Sequence, residues 1–173
     1  MKKGAATFVA DIDNPAETPE AVREKMERRA RRSISAVERR AKHAINEIRA
    51  REAEYTEIMN DRIDQMKERY FVDRGADRRV RAARERANVL LIEMSAISAK
   101  VRSDISGRVE RFKEGIAIVR IEVDAAVLTP AAACSFVDNV HAHALREQDR
   151  IDNDFADADA GMRRRVNKLE PVF

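Results

Sequence analysis

The chain has 173 residues, of which 38% are charged and 5% aromatic, with no tryptophan and a formal net charge of +3. This composition is unfavourable for a wide globular core and is typical of extended helical proteins. The single cysteine excludes an intramolecular disulfide, and apolar runs such as residues 89–92 are far shorter than the roughly 20 residues that cross a bilayer.

The first 17 residues differ from the rest of the chain. Residues 7–12 have weak strand character, and the Asn-Pro pair that follows them is typical of a turn. We therefore predict an extended N-terminal arm over residues 1–17. The apolar stretch in this arm is too short for a cleaved signal peptide, which favours a cytoplasmic location or incorporation into a virion or other assembly.

A first helix is predicted over residues 18–72. Thr18 can cap its free backbone N–H groups, and Pro19 suits the first helical position. Apolar residues then recur at steps of three and four along one face, with an interruption at Arg51. They are Ile34, Val37, Ala41, Ala44, Ile48, Tyr55, Ile58, Met59, Ile63, Met66 and Tyr70.

A second helix is predicted over residues 77–128, after a glycine that can end the first one. Its apolar residues keep helical spacing from Ala87 to Ala126, and others such as Ile92 and Ile118 widen the face. A face this wide needs more than one partner helix, which places this helix in the centre of the bundle. Two glycines inside it predict close approach by a neighbouring backbone: Gly107 and Gly115.

A third helix is predicted over residues 130–169, after a connection so short that it must run antiparallel to the second. The predicted fold is all-α: an elongated antiparallel helical hairpin plus a shorter third helix, forming a three-helix, coiled-coil-like bundle over residues 18–173. At about 1.5 Å per residue, the third helix reaches back only to the level of about residue 90. Residues 70–87 then form a tip of two helices. The apolar positions of the third helix are Val137, Val140, Ala144, Gln148, Ile151, Phe155, Ala158, Met162, Val166 and Leu169.

Charge is distributed unevenly along these helices. Residues 23–51 contain eleven Lys or Arg against four Glu, whereas residues 138–159 contain seven acidic residues against two Arg. The first and third helices run parallel in the predicted arrangement, so these two segments lie side by side. We expect them to neutralise each other in part.

A second basic cluster lies at the tip and at the end of the third helix, where fewer acidic residues accompany it. Arginine binds phosphates and carboxylates in a bidentate manner, so this cluster is the candidate contact for nucleic acid or another anion. An acidic protein surface and a face that contacts only solvent are the alternatives. The candidate residues are Arg74, Arg78, Arg79, Arg81, Arg163, Arg164 and Arg165.

The sequence predicts neither an enzyme nor a metal site. His141 and His143, two residues apart on a helix, point to nearly opposite sides and cannot share one ion with Cys134. The Glu-x-x-His segments of carboxylate-bridged metal sites are missing from the sequence, and five glycines provide little material for phosphate-binding loops. We expect a non-enzymatic protein without cofactor or small-molecule substrate.

The leading hypothesis is a structural or assembly component of a larger complex, such as a virion or a secretion apparatus, that acts through helical packing and homo-oligomerisation. Apolar residues that one thin bundle does not bury support it. One alternative is a nucleic-acid-binding protein that uses the basic tip without sequence preference. The other is an adaptor or chaperone whose N-terminal arm adds a strand to a partner's sheet. The candidate partner contacts are Phe8, Val9, Ile12, Phe71 and Phe173.

Overall fold

The computed structural model describes residues 18–69, 76–125 and 130–169, and they form three helices. Side chains link each helix to both of the others, so the predicted all-α three-helix bundle is confirmed. The N-terminal arm and the expected helix ends at residues 72 and 128 lie outside the described residues. The helices are α1 (Pro19–Arg69), α2 (Ala76–Ala125) and α3 (Pro130–Lys168).

The start of α1 follows the predicted capping pattern. The backbone N–H of Ala21 donates to the Thr18 hydroxyl at 3.3 Å, and the N–H of Val22 donates to the Thr18 carbonyl at 3.1 Å. Pro19 has no N–H group to satisfy, and Glu20 lies in the first turn, where the helix dipole favours negative charge. Thr18 is therefore confirmed as the N-cap of α1.

The chain divides into two compact units, each built from a segment of every helix. The first unit takes the described residues of Met1–Lys42 and Ser106–Ile151, and the second those of His43–Ile105 and Asp152–Phe173. In the first unit the buried apolar residues are Val22, Met26, Ala30, Val37, Ala41, Val109, Phe112, Ile116, Ala133, Phe136, Val137, Val140, Ala144 and Ile151. In the second they are Ala44, Ile48, Tyr55, Met59, Ile63, Ala87, Leu90, Met94, Ile105, Ala158, Met162, Val166 and Leu169.

The buried face of α1 follows a repeat of four, four and three residues. In the first unit it runs from Val22 to Ala41 and includes the buried Ser33. Three turns in eleven residues correspond to about 3.67 residues per turn, close to the 3.6 of a straight helix. One face of α1 therefore stays buried without the strict heptad of a two-stranded coiled coil.

Two expectations for α2 are wrong. α2 does contact both other helices, but Ile92 and Ile118 are 70% and 59% exposed, so the described helices do not cover its full apolar width, and this width does not place α2 at the centre. A Cβ atom on Gly115 would meet nothing within 4 Å beyond its own helix backbone, and one on Gly107 would meet only the Arg111 guanidinium, at 3.2 Å. Neither glycine is a point of close backbone approach. A Cβ atom on Gly161 of α3, in contrast, would contact the side chain of Ile97 at 3.5 Å.

One position of α3 also differs from the predicted pattern. Glu147, and not Gln148, lies on the buried face between Ala144 and Ile151, with 5% exposure. Its carboxylate accepts a hydrogen bond of 2.5 Å from Arg150, one turn further along the same helix. A search for apolar residues misses this position, because a carboxylate with a neighbouring arginine can occupy it instead.

In the second unit, α3 ends before the described parts of α1 and α2 do. Arg165 binds Glu93, and Gly161 lies against Ile97, so a step along α3 corresponds to an equal step back along α2. Leu169 is therefore level with about residue 89 of α2. None of the described residues 64–68 and 78–86 is buried. Residues 78–86 thus lie beyond the level at which α3 packs.

Candidate interaction surfaces

A polar cluster around Tyr55 joins α1 to α3 in the second unit. The buried Tyr55 hydroxyl donates to Oδ1 of Asp159 at 2.7 Å, and Arg163 donates to both groups, at 3.4 Å to the hydroxyl and 3.2 Å to Oδ2 of Asp159. Arg51, which interrupts the predicted apolar face of α1, lies 3.8 Å from Oδ1 of Asp159 and donates to Glu54 at 2.7 Å. This cluster fixes the register of α1 against α3.

The same contacts change the protonation of the Tyr55 hydroxyl. Burial raises the pKa of Tyr55 above its usual value of 10.0, because it disfavours the charged phenolate. The hydrogen bond from Arg163 opposes this shift, and the one donated to Asp159 adds to it. The hydrogen bond with Tyr55 is also the largest cause of a raised pKa for Arg163. The cluster therefore keeps Tyr55 neutral and Arg163 charged.

Two further ties connect the helices of the second unit. The hydroxyl of the fully buried Ser98 in α2 donates to the carboxylate of Glu52 in α1 at 2.5 Å. The guanidinium of Arg102 lies 3.9 Å from the same carboxylate oxygen. Arg165 of α3 donates to Glu93 of α2 at 3.1 Å and to the Gly161 carbonyl at 3.4 Å. Polar contacts thus join the helices of this unit in addition to its apolar core.

These contacts separate the arginines that the sequence groups together as an anion site. Arg163 and Arg165 bind acidic and carbonyl groups of the second unit itself, and Arg163 is exposed all the same, as is Arg164. Arg78, Arg79 and Arg81 of α2 are also exposed. The following predicted site residues lie outside the described ranges, and their roles stay predictions: Arg74, Phe8, Val9, Ile12, Phe71 and Phe173.

Exposed arginines continue along α2 beyond the candidate contact residues, within the same basic cluster of the sequence. Arg84 and Arg86 are exposed as well, so residues 78–86 carry five arginines, all exposed, and a single acidic residue, Glu85. We call residues 78–86 the arginine segment. Its net charge follows directly from the sequence, but its place beyond the end of α3 depends on the register between the helices.

The outer face of α2 in the second unit carries an uncharged row. Val89 and Ile92 are 56% and 70% exposed, and Ala96 and Ala99 continue the row on the same side. Their steps of three, four and three residues place them on one face of the helix, opposite the buried Ala87 and Met94. We call the four residues the outer row. The alternating steps of three and four residues are the sequence signal for this surface, and of its four residues the predicted wide face of α2 includes Ile92.

In the first unit, α2 carries other exposed groups. Ile118 is 59% exposed and Val119 37%. Glu27 of α1 accepts a hydrogen bond from Arg120 at 2.7 Å, and Lys113 lies 2.8 Å from Glu38, whose hydrogen bond is the largest cause of a raised pKa for Lys113. The glutamates within the basic segment of α1 thus pair with basic residues of α2.

The predicted neutralisation between α1 and α3 has one clear example. Arg51 belongs to the basic segment of α1 and Asp159 to the acidic segment of α3, and they form the 3.8 Å pair of the second unit. In the acidic segment, Glu147 is paired with Arg150 of its own helix. Pairing within α3 and between α1 and α2 therefore accompanies the expected pairing between α1 and α3.

The histidine region of α3 forms an aromatic contact. His143 stacks on Phe112 of α2, with ring centroids 5.3 Å apart and planes 18° from parallel, and Cys134 is half-buried. Over the described ranges, no group of three or more His, Cys, Asp or Glu is arranged to hold a metal ion. Across the same ranges, no helix combines the length and the apolar character that a membrane crossing requires.

Comparison with known proteins identifies no relative of this chain. No protein-family model, no curated protein and no solved structure matches it. The outer row and the arginine segment are the two surfaces that the described residues define best.

Proposed function

We propose that this protein is a non-enzymatic structural component that assembles by homo-oligomerisation, with the outer row of α2 as its self-association surface. The observation that carries the proposal is the exposure of Val89 and Ile92, at 56% and 70%, in line with Ala96 and Ala99. Burying such side chains stabilises an interface by about 1.5–3 kcal/mol for each one that becomes fully covered. The assembly of which it is part, a virion or a secretion apparatus among others, stays a hypothesis.

The spacing of the outer row suits a second helix as its partner. Apolar residues at alternating steps of three and four follow a period of 3.5, at which two helices keep contact along a seam. The alanines at 96 and 99 have small side chains that permit close approach of a partner backbone, with Ile92 beside them as the large apolar anchor.

Charges beside the outer row favour a second copy of this chain in the antiparallel direction. Glu93 and Lys100 lie seven residues apart on the same side of the row; Lys100 is exposed, and Glu93 is half-buried and also accepts a hydrogen bond from Arg165 of its own chain. A two-fold axis between Ala96 and Ala99 brings Glu93 of one copy near Lys100 of the other, and repeats the pair by symmetry. The surface is therefore complementary to itself in charge as well as in spacing.

The test is the mass of the full chain in solution, measured by sedimentation equilibrium and light scattering over a wide concentration range. We expect the unaltered chain to associate, and Ile92→Glu to weaken association by about tenfold or more, which corresponds to about 1.4 kcal/mol. Ile118→Glu is the matched control, since Ile118 has similar exposure but lies in the first unit. It should leave the mass unchanged.

A second pair of variants tests the orientation. Lys100→Glu places two like charges near each other in the antiparallel arrangement and should weaken association, whereas Lys42→Glu, at an exposed position of α1, should not. A strictly monomeric unaltered chain would overturn the proposed function. Association that survives Ile92→Glu would overturn the assignment to the outer row.

A further inference from the structure

We propose that the arginine segment of α2 binds the phosphate backbone of nucleic acid without sequence preference. The segment comprises residues 78–86, and the proposal uses the exposed Arg78, Arg81 and Arg84, whose steps of three residues place them along one side of the helix. It uses residues other than those of the proposed self-association, whose centre is about 15 residues, or about 23 Å of helix, away.

The position of the segment leaves it accessible. α3 ends level with about residue 89, as the contacts of Arg165 with Glu93 and of Gly161 with Ile97 establish. Among the described residues, α2 therefore has only α1 beside it at this level. In the part of α1 that faces the segment, Lys67 binds Asp64. The Asp64 carboxylate is therefore already paired with a lysine of α1.

The charge of the segment is concentrated and of one sign. Five arginines and one glutamate give residues 78–86 a net charge of +4. They extend over about 12 Å of helix axis at about 1.5 Å per residue. A nucleic-acid strand presents one phosphate per about 3.4 Å of axis, or about three to four over this length. The three arginines along one side of the helix, Arg78, Arg81 and Arg84, thus match the three to four phosphates that the segment can reach.

The residue type also favours phosphate over the carboxylates of an acidic protein. All five cations are arginine, whose planar fork binds phosphate oxygens in pairs, and none is lysine. The phosphate backbone of nucleic acid repeats its charge, so cations at helical spacing are enough to bind it. Each carboxylate of an acidic protein surface instead needs its own positioned cation. Arg163 and Arg165 do not belong to this site, because their guanidinium groups already bind Asp159 and Glu93.

The experiment measures binding of the full chain to a fluorescently labelled DNA duplex of random sequence, by anisotropy, between about 50 and 200 mM salt. Three phosphate contacts predict a slope of log K against log salt of about −2.7, and so an affinity loss of about 40-fold over this range. Arg78→Gln combined with Arg81→Gln should reduce the slope to about −0.9 and the loss to about 3.5-fold.

The matched control changes charge equally elsewhere. Arg39→Gln combined with Lys42→Gln removes two exposed cations with the same spacing from the basic part of α1. It should retain the slope of the unaltered chain. An equal loss in both double variants would overturn the site, since binding would then reflect net charge alone. Tighter binding to polyglutamate than to the duplex at the same salt concentration would overturn the choice of nucleic acid.

Discussion

Replacing Gly115 with alanine should stabilise the protein. Gly115 lies inside α2 in the first unit, and an added Cβ atom would have no other atom within 4 Å outside the local helix backbone. Alanine is favoured over glycine in a helix interior by about 1 kcal/mol, because glycine loses more backbone freedom on folding. With no steric cost to offset this gain, we expect the free energy of unfolding to rise by about 1 kcal/mol.

The assay is urea denaturation followed by far-UV circular dichroism. For slopes of about 1–3 kcal/mol per molar urea, the gain shifts the midpoint by about 0.3–1 M. Gly107→Ala should gain less, since its Cβ atom would lie 3.2 Å from Nη1 of Arg111, which must move. Gly161→Ala should gain as much as Gly115→Ala, because its Cβ atom would contact Ile97 at an ordinary 3.5 Å.

The comparison separates two accounts of the glycines in α2. If a neighbouring backbone did approach Gly115 closely, as the sequence alone suggests, alanine would be too large and the midpoint would fall. A lower midpoint for Gly115→Ala would therefore refute the packing described here. Gly161→Leu serves as the opposite control, because the longer side chain must collide with Ile97 and should destabilise the second unit.

Three further predictions concern the polar groups of the bundle. Tyr55→Phe removes the 2.7 Å hydrogen bond to Asp159 and should lower the free energy of unfolding by about 1–2 kcal/mol in urea titrations. Because the pKa of Tyr55 is raised in the folded chain, the contribution of Tyr55 to the free energy of unfolding is complete below about pH 10 and is lost as the pH rises through the folded pKa. Urea titrations across this pH range should show the loss, and the Tyr55→Phe variant should show less of it. Glu147→Leu puts an apolar side chain on the buried face of α3 and should raise the midpoint, with a gain of about 1 kcal/mol or more; a lower midpoint would mean that the pair with Arg150 contributes more than its desolvation costs.

The sequence predicts the helices well because each one repeats its apolar pattern many times. The start of α1 at Thr18 follows from local capping chemistry, and Val37, Ile48 and Met59 are fully buried as their spacing predicts. These features depend on neighbours three or four residues away, and a single sequence contains that information.

Side chains that bind across helices are less accessible to prediction. Arg163 and Arg164 are adjacent in the sequence and both exposed, yet Arg163 binds Tyr55 and Asp159. Which of the two reaches these groups depends on the register between α1 and α3, and no pattern within one helix specifies it. Long charged side chains can cover apolar surface or reach a partner from the edge of a buried face, so spacing alone does not separate the two roles.

The same limit explains why the sequence predicts that the wide apolar face of α2 packs against more than one helix. In the second unit its buried residues are spaced by three, four and four, as Ala87, Leu90, Met94 and Ser98 show. The exposed outer row from Val89 to Ala99 is spaced by three, four and three on the opposite side. A sequence search adds both sets into one wide face, whereas packing against α1 and α3 uses only the first. The second set has the spacing of a helix pair, and none of the described helices covers it, which is the basis of the proposed self-association.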